Sequence, residues 1–252
     1  MKRILLIGVG AGDPEQITVQ AIKALNRTQV FFLLDKGPDS DELLRWRKEI
    51  CARYLQHQDC RWVEVRDPQR DDQPQAYAQG VEAWHGQRAQ LFERLIGEHV
   101  GEDETGALLI WGDPALYDGT LRIIERILAR GREIFEYVVV PGITSVQALA
   151  ARHRIPLNRI GEPVRIMPGR RLAECAPADI RNEVIMLDAH CTFERFLGQG
   201  LEIYWGAYLG TPDEILMAGK LDELCEPIKQ ARHQARLRKG WIMDTYLLRK
   251  PL

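Results

Sequence analysis

Nothing in this chain approaches the roughly 18 consecutive apolar residues that cross a bilayer. The opening MKRILLIGVG runs into a glycine turn with no signal-peptide cleavage pattern, so a cytoplasmic protein with no membrane partner is expected. The formal net charge is only −2, which provides no whole-chain basic field and no reason to expect a nucleic-acid partner. Cysteine is sparse and unpatterned: Cys51, Cys60, Cys175, Cys191 and Cys225 include no C-x-x-C, which argues against a disulfide framework and a zinc ribbon. His57 with Cys60, and His190 beside Cys191, are the pairs with ligand chemistry. Without a second pair at ligand spacing, buried thiols and surface imidazoles are expected, and no metal site. A G-x-x-x-x-G-K-[ST] loop for a nucleoside triphosphate is missing, as are sustained repeats and low-complexity tracts.

What the chain has is apolar content and rhythm. With 252 residues, 45% hydrophobic and 28% charged, it can bury a sizeable core as one large domain or two smaller ones. Short apolar runs at Ile4 to Ile7, Val30 to Leu34, Arg61 to Val65, Ala107 to Ile110 and Tyr137 to Val140 read as strands separated by helical patterns. Thr18 suits the N-cap of a helix presenting Val19, Ile22 and Leu25 on one face, closed by Asn26. Asp41 to Gln56 and Gln75 to His99 predict charged amphipathic helices, the second preceded by the polar loop RDPQRDDQPQ. Leu121 to Ala129 predicts another helix, stopped by Gly131. The alternation predicts an α/β domain over residues 1–141, with a parallel, doubly wound sheet covered on both faces. After Pro141-Gly142 come a short helix from Ser145 to Arg152 and strand-like runs at Val164 to Met167, Glu183 to Leu187, Ile203 to Tyr208, Glu214 to Ala218 and Trp241 to Leu248. With one longer helix near Leu221 to Leu237, these predict a mixed sheet over residues 142–252 and a ligand cleft between the two domains.

Two glycine-aspartate-proline turns stand out, in ILLIGVGAGDPEQIT from Ile4 to Thr18 and WGDPALYD from Trp111 to Asp118. Each follows an apolar run, as the carboxyl end of a buried strand would. A dinucleotide fingerprint is the first alternative, with Asp35 near the position of a ribose-binding acid. Against it, Asp13 would place a carboxylate beside a pyrophosphate, the sixth position is not glycine, and the helix starts only at Thr18. A cationic, phosphate-free ligand such as S-adenosylmethionine fits close-approach glycines with nearby carboxylates. The plain alternative is a pair of tight turns that merely link strands to helices.

GVGAGDPEQIT, the strand end LLD at Leu33 to Asp35, WGDPALYDGT, VVPGITSVQALAA and TPDEILMAGKLDEL together resemble the successive motifs of the S-adenosylmethionine-dependent tetrapyrrole (precorrin) methylases. The wording LLDKG, WGDPALYDGT and PGRRLAE, with inserted helices between about residues 40 and 105, most resembles members that release acetate while methylating C1 of precorrin-5. A methylase of another precorrin position or of another substrate is the alternative, and a non-catalytic sensor on the same fold a third reading. The resemblance implies a two-domain fold with the cofactor in the cleft, no metal, and a homodimer.

Carried onto matching positions, the resemblance implies cofactor contacts at Gly10, Ala11, Trp111, Gly112, Asp113, Leu116, Thr144, Ser145, Leu187, Asp188 and Leu209. Ala11, Trp111 and Asp188 depart from the residues usual there. Asp35, with Leu34 as the alternative aligned position, corresponds to an acid able to remove a ring proton, or is an N-cap or loop aspartate. Tyr117 lines the cleft as a second catalytic candidate, or only packs. A substrate rich in carboxylates points to Lys36, Arg152, Arg154, Arg170 and Arg171 as binding cations. Arg159 and His153 lie among them, and a capped or exposed histidine is the expectation for His153.

Overall fold

Strands β1 (Arg3–Gly8), β2 (Val30–Asp35), β4 (Thr105–Ile110) and β5 (Glu136–Val140), with edge strand β3 (Arg61–Arg66), form a parallel sheet in the order β3-β2-β4-β1-β5. The computed structural model describes residues 1–35, 41–57, 59–68 and 77–251, and the chain divides between Thr144 and Ser145 into two compact units. Because side chains alternate across a strand, β1 sends Ile4 and Leu6 to one face and Leu5 and Ile7 to the other, and both faces are covered. Helices α1 (Val19–Leu25) and α2 (Asp41–Tyr54) bury Ala21, Leu25, Ile50 and Cys51 against the second face. Helices α3 (Tyr77–His99) and α4 (Thr120–Arg130) bury Phe92, Ile96, Ile123, Ile124 and Ile127 against the first. Each fully buried isoleucine of α4 contributes roughly 2 kcal/mol.

The local signals explain the boundaries. Thr18 Oγ1 accepts from Ala21 N at 3.0 Å as the N-cap of α1, and Asn26 closes that helix. Gly131 ends α4 in the left-handed conformation that glycine adopts without penalty.

The second unit contains α5 (Ser145–His153), β6 (Arg165–Pro168), α6 (Gly169–Leu172), β7 (Asn182–Met186), β8 (Glu202–Ala207), β9 (Ile215–Lys220), α7 (Leu221–Lys239) and β10 (Asp244–Arg249). Its sheet runs β6-β7-β10-β8-β9. Only the β6–β7 pairing is parallel, so the sheet is mixed. Trp205, Tyr246, Phe193 and Phe196 fill its core with Ile228 and Cys225 of α7.

Candidate functional site

At the carboxyl ends of β1, β4 and β5 the backbone packs on itself. Gly10 and Gly112 form an isolated antiparallel bridge, with Gly112 N donating to Gly10 O at 2.8 Å and Gly10 N to Gly112 O at 3.4 Å. A β-carbon on Gly8 would lie 2.6 Å from Gly142 N, and one on Gly142 would overlap Gly112 O outright. Glycine at 8 and 142 is therefore a requirement of the close approach between three loops. Gly112, at φ +70°, faces the other way: a β-carbon there would meet nothing nearer than Thr144 Cα at 3.8 Å. The result is a cradle with a floor of backbone and an open side at Gly112.

The two aspartates of the glycine-aspartate-proline turns do related work. Asp13 Oδ1 accepts from Glu15 N at 2.9 Å and caps the 3-10 turn Pro14–Gln16, while Asp113 Oδ1 accepts from Ala115 N at 2.7 Å. Asp113 also uses Oδ2 to hold Gly142 N at 2.8 Å, which ties the β4 loop to the β5 loop. Ala11 and Thr144 are buried beside the cradle, Trp111 and Leu116 half-buried. Gln16 carries no signal of a site in the sequence. Its Oε1 is buried without a hydrogen-bond partner, and its Cβ lies 3.3 Å from where a Gly10 side chain would begin. A buried acceptor left unpaired beside a glycine cradle fits a ligand that brings N–H donors. This acceptor suits the amine and ammonium groups of S-adenosylmethionine, and the glycine floor allows a close approach.

Asp35 ends β2, a third exposed, and is held by Arg66 Nη1 at 2.8 Å. Tyr117 is 44% exposed at φ +52°, a strained conformation for a bulky residue, in the loop between β4 and α4. Lys36 lies outside the described residues. His85 of α3 is buried against Gly119 at the start of α4. Burial, then Arg126, Arg88 and Arg122, lower its pKa, opposed by Glu82.

In the second unit the loop after β7 is built from side chains. Asp188 Oδ1 accepts from His190 N and Thr192 Oγ1, and Oδ2 accepts from Thr192 N at 2.7 Å and Tyr246 Oη at 2.6 Å. Arg232 donates to Asp188 O at 2.7 Å and pairs with Asp244, which also accepts from Trp205 Nε1. Gly169 is the small neighbour that makes room, since a β-carbon there would sit 2.6 Å from Asp188 Oδ1. The Asp188 carboxylate is thus buried and committed inward. Leu187 before it is 66% exposed at φ +53°. Ser145 Oγ and Thr245 Oγ1 share a hydrogen bond of 2.9 Å, and Leu209 is buried against Gly206.

Of the candidate cations, Arg152 pairs with Glu214 at 2.6 Å and Arg171 with Glu174 at 2.6 Å. Arg170 and Arg154 are exposed, the latter at φ +56°. His153 is half-buried with Nε2 3.0 Å from Trp205 O, and burial lowers its pKa. The cysteines are free, and burial pushes the Cys51 thiol up to about 12. Among the described residues, Glu194, Cys225 and Glu226 form one group with metal-ligand atoms, but Lys229 Nζ already holds both carboxylates, at 2.8 and 2.9 Å. No helix among them is long and apolar enough to cross a membrane.

Residues 3–225 match the family model of the tetrapyrrole (corrin/porphyrin) methylases, and the chain belongs to that family. It is a methyltransferase by that membership. Among individual relatives it is 51% identical over 250 residues to a precorrin-6A synthase [deacetylating] of Sinorhizobium sp, covering 99% of this chain and 96% of that one. Its fold is similar to the crystal structure of a cobalamin synthesis related protein (CobF) from Corynebacterium diphtheriae, with a TM-score of 0.86 and 38% identity over 99% of both chains. A uroporphyrin-III C-methyltransferase from Thermus thermophilus, solved with S-adenyl homocysteine, shares the fold at a TM-score of 0.63 and 20% identity, over 98% of this chain and 97% of that one.

Proposed function

We propose that this chain transfers a methyl group from S-adenosylmethionine to C1 of precorrin-5 and releases the C1 acyl group as acetate, in the assembly of a corrin. The observation that carries this reading is the 51% identity, over nearly the whole of both chains, to the precorrin-6A synthase [deacetylating]. The cradle of Gly8, Gly10, Gly112 and Gly142 supports it as a surface to which a flat, cationic, phosphate-free ligand can come close. S-adenosylmethionine supplies an already activated methyl group, so the protein contributes mainly alignment: nucleophilic carbon, methyl and sulfur nearly in line, with the carbon about 3 to 3.5 Å from the methyl before attack.

In this reading Gly10, Ala11, Trp111, Gly112, Asp113, Leu116 and Thr144 hold the cofactor, with Gln16 Oε1 accepting from one of its nitrogens. Ser145, Leu187 and Leu209 are further contacts, and Asp188 acts by positioning Leu187. Asp35, a third exposed at the end of β2 and ion-paired with Arg66, accepts the ring proton. Tyr117 orients the macrocycle, and Lys36, Arg152, Arg154, Arg170 and Arg171 meet its carboxylates. A cytoplasmic homodimer completes the proposal.

Incubation with methyl-labelled S-adenosylmethionine and precorrin-5, following product mass and acetate together, tests it. Labelled product and acetate in equal amounts are expected. Methylation without acetate would move the chain to another ring position, and no labelled tetrapyrrole would remove the reading.

A further inference from the structure

Between β2 and β4 the first sheet comes apart. Their pairing runs Val30 with Gly106, Phe31 with Ala107 and Phe32 with Leu108, then stops. Beyond it β2 continues beside β3 to Asp35, and β4 beside β1 to Ile110. The helix that follows β2 packs on one face of the sheet and the helix that follows β4 on the other. Neighbouring parallel strands whose connections leave to opposite faces bound a crevice, and open α/β sheets take ligands in such crevices. The neighbouring gap, between β1 and β4, is bridged by Gly10 and Gly112.

Arg47 of α2 occupies the open wedge. Its Nε donates to Leu109 O at 3.0 Å, a carbonyl beyond the last β2–β4 pair, and Nη1 reaches Leu43 O at 3.4 Å. Both acceptors are neutral, and among the described residues the half-buried guanidinium has no other hydrogen-bond acceptor. Asp118 faces it from the loop before α4, with Oδ1 already accepting from Thr120 N. Arg88 faces it from α3, already paired with Asp67 at 2.9 Å. Burial lowers the Arg47 pKa, opposed by Asp118 and reinforced by Arg88. A cation withdrawn from water and only partly compensated is an unfavourable element of a fold unless an anion completes it. Its outer nitrogens present the fork that matches a carboxylate.

We propose that this wedge is a carboxylate-binding subsite, in which Arg47 receives a side-chain carboxylate of the tetrapyrrole. The proposal rests on the methylase reading and adds a specificity-determining residue to it. The competing role is a tie holding α2 to β4, with no ligand.

The test compares wild type with Arg47→Gln and Arg47→Lys, using uroporphyrin III as the polycarboxylate probe (tryptophan quenching), S-adenosylhomocysteine (calorimetry) and Tm. Arg47→Gln should weaken uroporphyrin III binding at least about tenfold, as expected for loss of a charge-assisted carboxylate contact. Its S-adenosylhomocysteine affinity should stay within about twofold and its Tm should not fall, because neutralising an undercompensated, half-buried cation removes a cost. Arg47→Lys, which keeps charge without the fork, should recover part of the binding; it carries the test if Arg47→Gln does not fold. Equal uroporphyrin III affinity in wild type and a folded variant overturns the proposal. So does a parallel loss of Tm and of both affinities, the signature of a tie. Failure of wild type to bind S-adenosylhomocysteine would instead count against the methylase reading, while Arg47-dependent binding of the polycarboxylate would still support the wedge.

Discussion

The two units finish their strand ends by opposite means. In the first, Gly8, Gly112 and Gly142 bring backbone against backbone, and the one carboxylate involved, Asp113, ties two loops through amide hydrogens. In the second, Asp188, Thr192, Tyr246, Arg232, Asp244 and Trp205 fill the same kind of place with a buried polar network. Backbone packing satisfies its own groups, as in the Gly10–Gly112 bridge, and leaves an open face at Gly112 beside the unpaired side-chain acceptor of Gln16. A side-chain network satisfies its own members and presents only what it props up, here the exposed Leu187. The proposed function accordingly relies on the first unit for polar recognition of the cofactor.

The largest expected effect breaks the backbone side of this contrast. Gly142→Ala places a β-carbon into Gly112 O, where no flexible side chain can yield, and should destabilise by about 3 kcal/mol or prevent folding. Thermal unfolding checks it, and an unchanged Tm would show that the three loops can separate freely. Next, Asp188→Ala leaves the Tyr246 hydroxyl and the Thr192 amide without their acceptor and should cost about 3 kcal/mol or less. Tyr246→Phe removes one member only and should cost about 1 kcal/mol. If the network is a unit, the double variant will fall short of the sum.

Smaller effects sharpen the comparison. Tyr117 and Leu187 each hold a left-handed backbone next to a strand-end loop, one in each unit. Tyr117→Gly and Leu187→Gly should each relieve about 1 kcal/mol of strain. If these residues serve a ligand, Tm rises while S-adenosylhomocysteine affinity or turnover falls; a rise with function unchanged would make them accidents of the loops. The smallest effect is on pH dependence. Native His85 has its pKa below the ordinary 6.5, so the unfolded imidazole takes up its proton first as pH falls. Its contribution is complete above pH 6.5 and is lost as pH drops through the lower native value. His85→Gln should flatten the fall in Tm on acidification. His153, lowered by burial but hydrogen-bonded to Trp205 O, gives the second unit its matching control.

Much of the fold was legible because the strands of the first unit are apolar throughout and both turns carry their aspartate and proline signals. Thr18, Asn26 and Gly131 marked helix ends for chemical reasons that hold in the structure. The short helix α6 and the 3-10 turns went unseen, since three to five residues show no period. In the site, Gly10, Gly112 and Asp113 could be read from motif wording. Arg47 could not: its meaning depends on β2 and β4 parting after Leu108, a register event that leaves no local trace. Gln16 sits inside a quoted motif, yet only the missing partner of its Oε1 distinguishes it. Asp188 was legible as a loop acid but not as an inward one, because the tyrosine it meets is 58 residues away.

In the proposed function the glycine cradle of the first unit holds the methyl donor. Titration of S-adenosylhomocysteine into wild type and Gly112→Arg, by calorimetry, tests it most directly, because a side chain at Gly112 projects into the open side while the folded floor stays intact. Wild type should bind at micromolar concentration and a folded Gly112→Arg should not bind. Equal affinities in the two proteins would place the donor elsewhere.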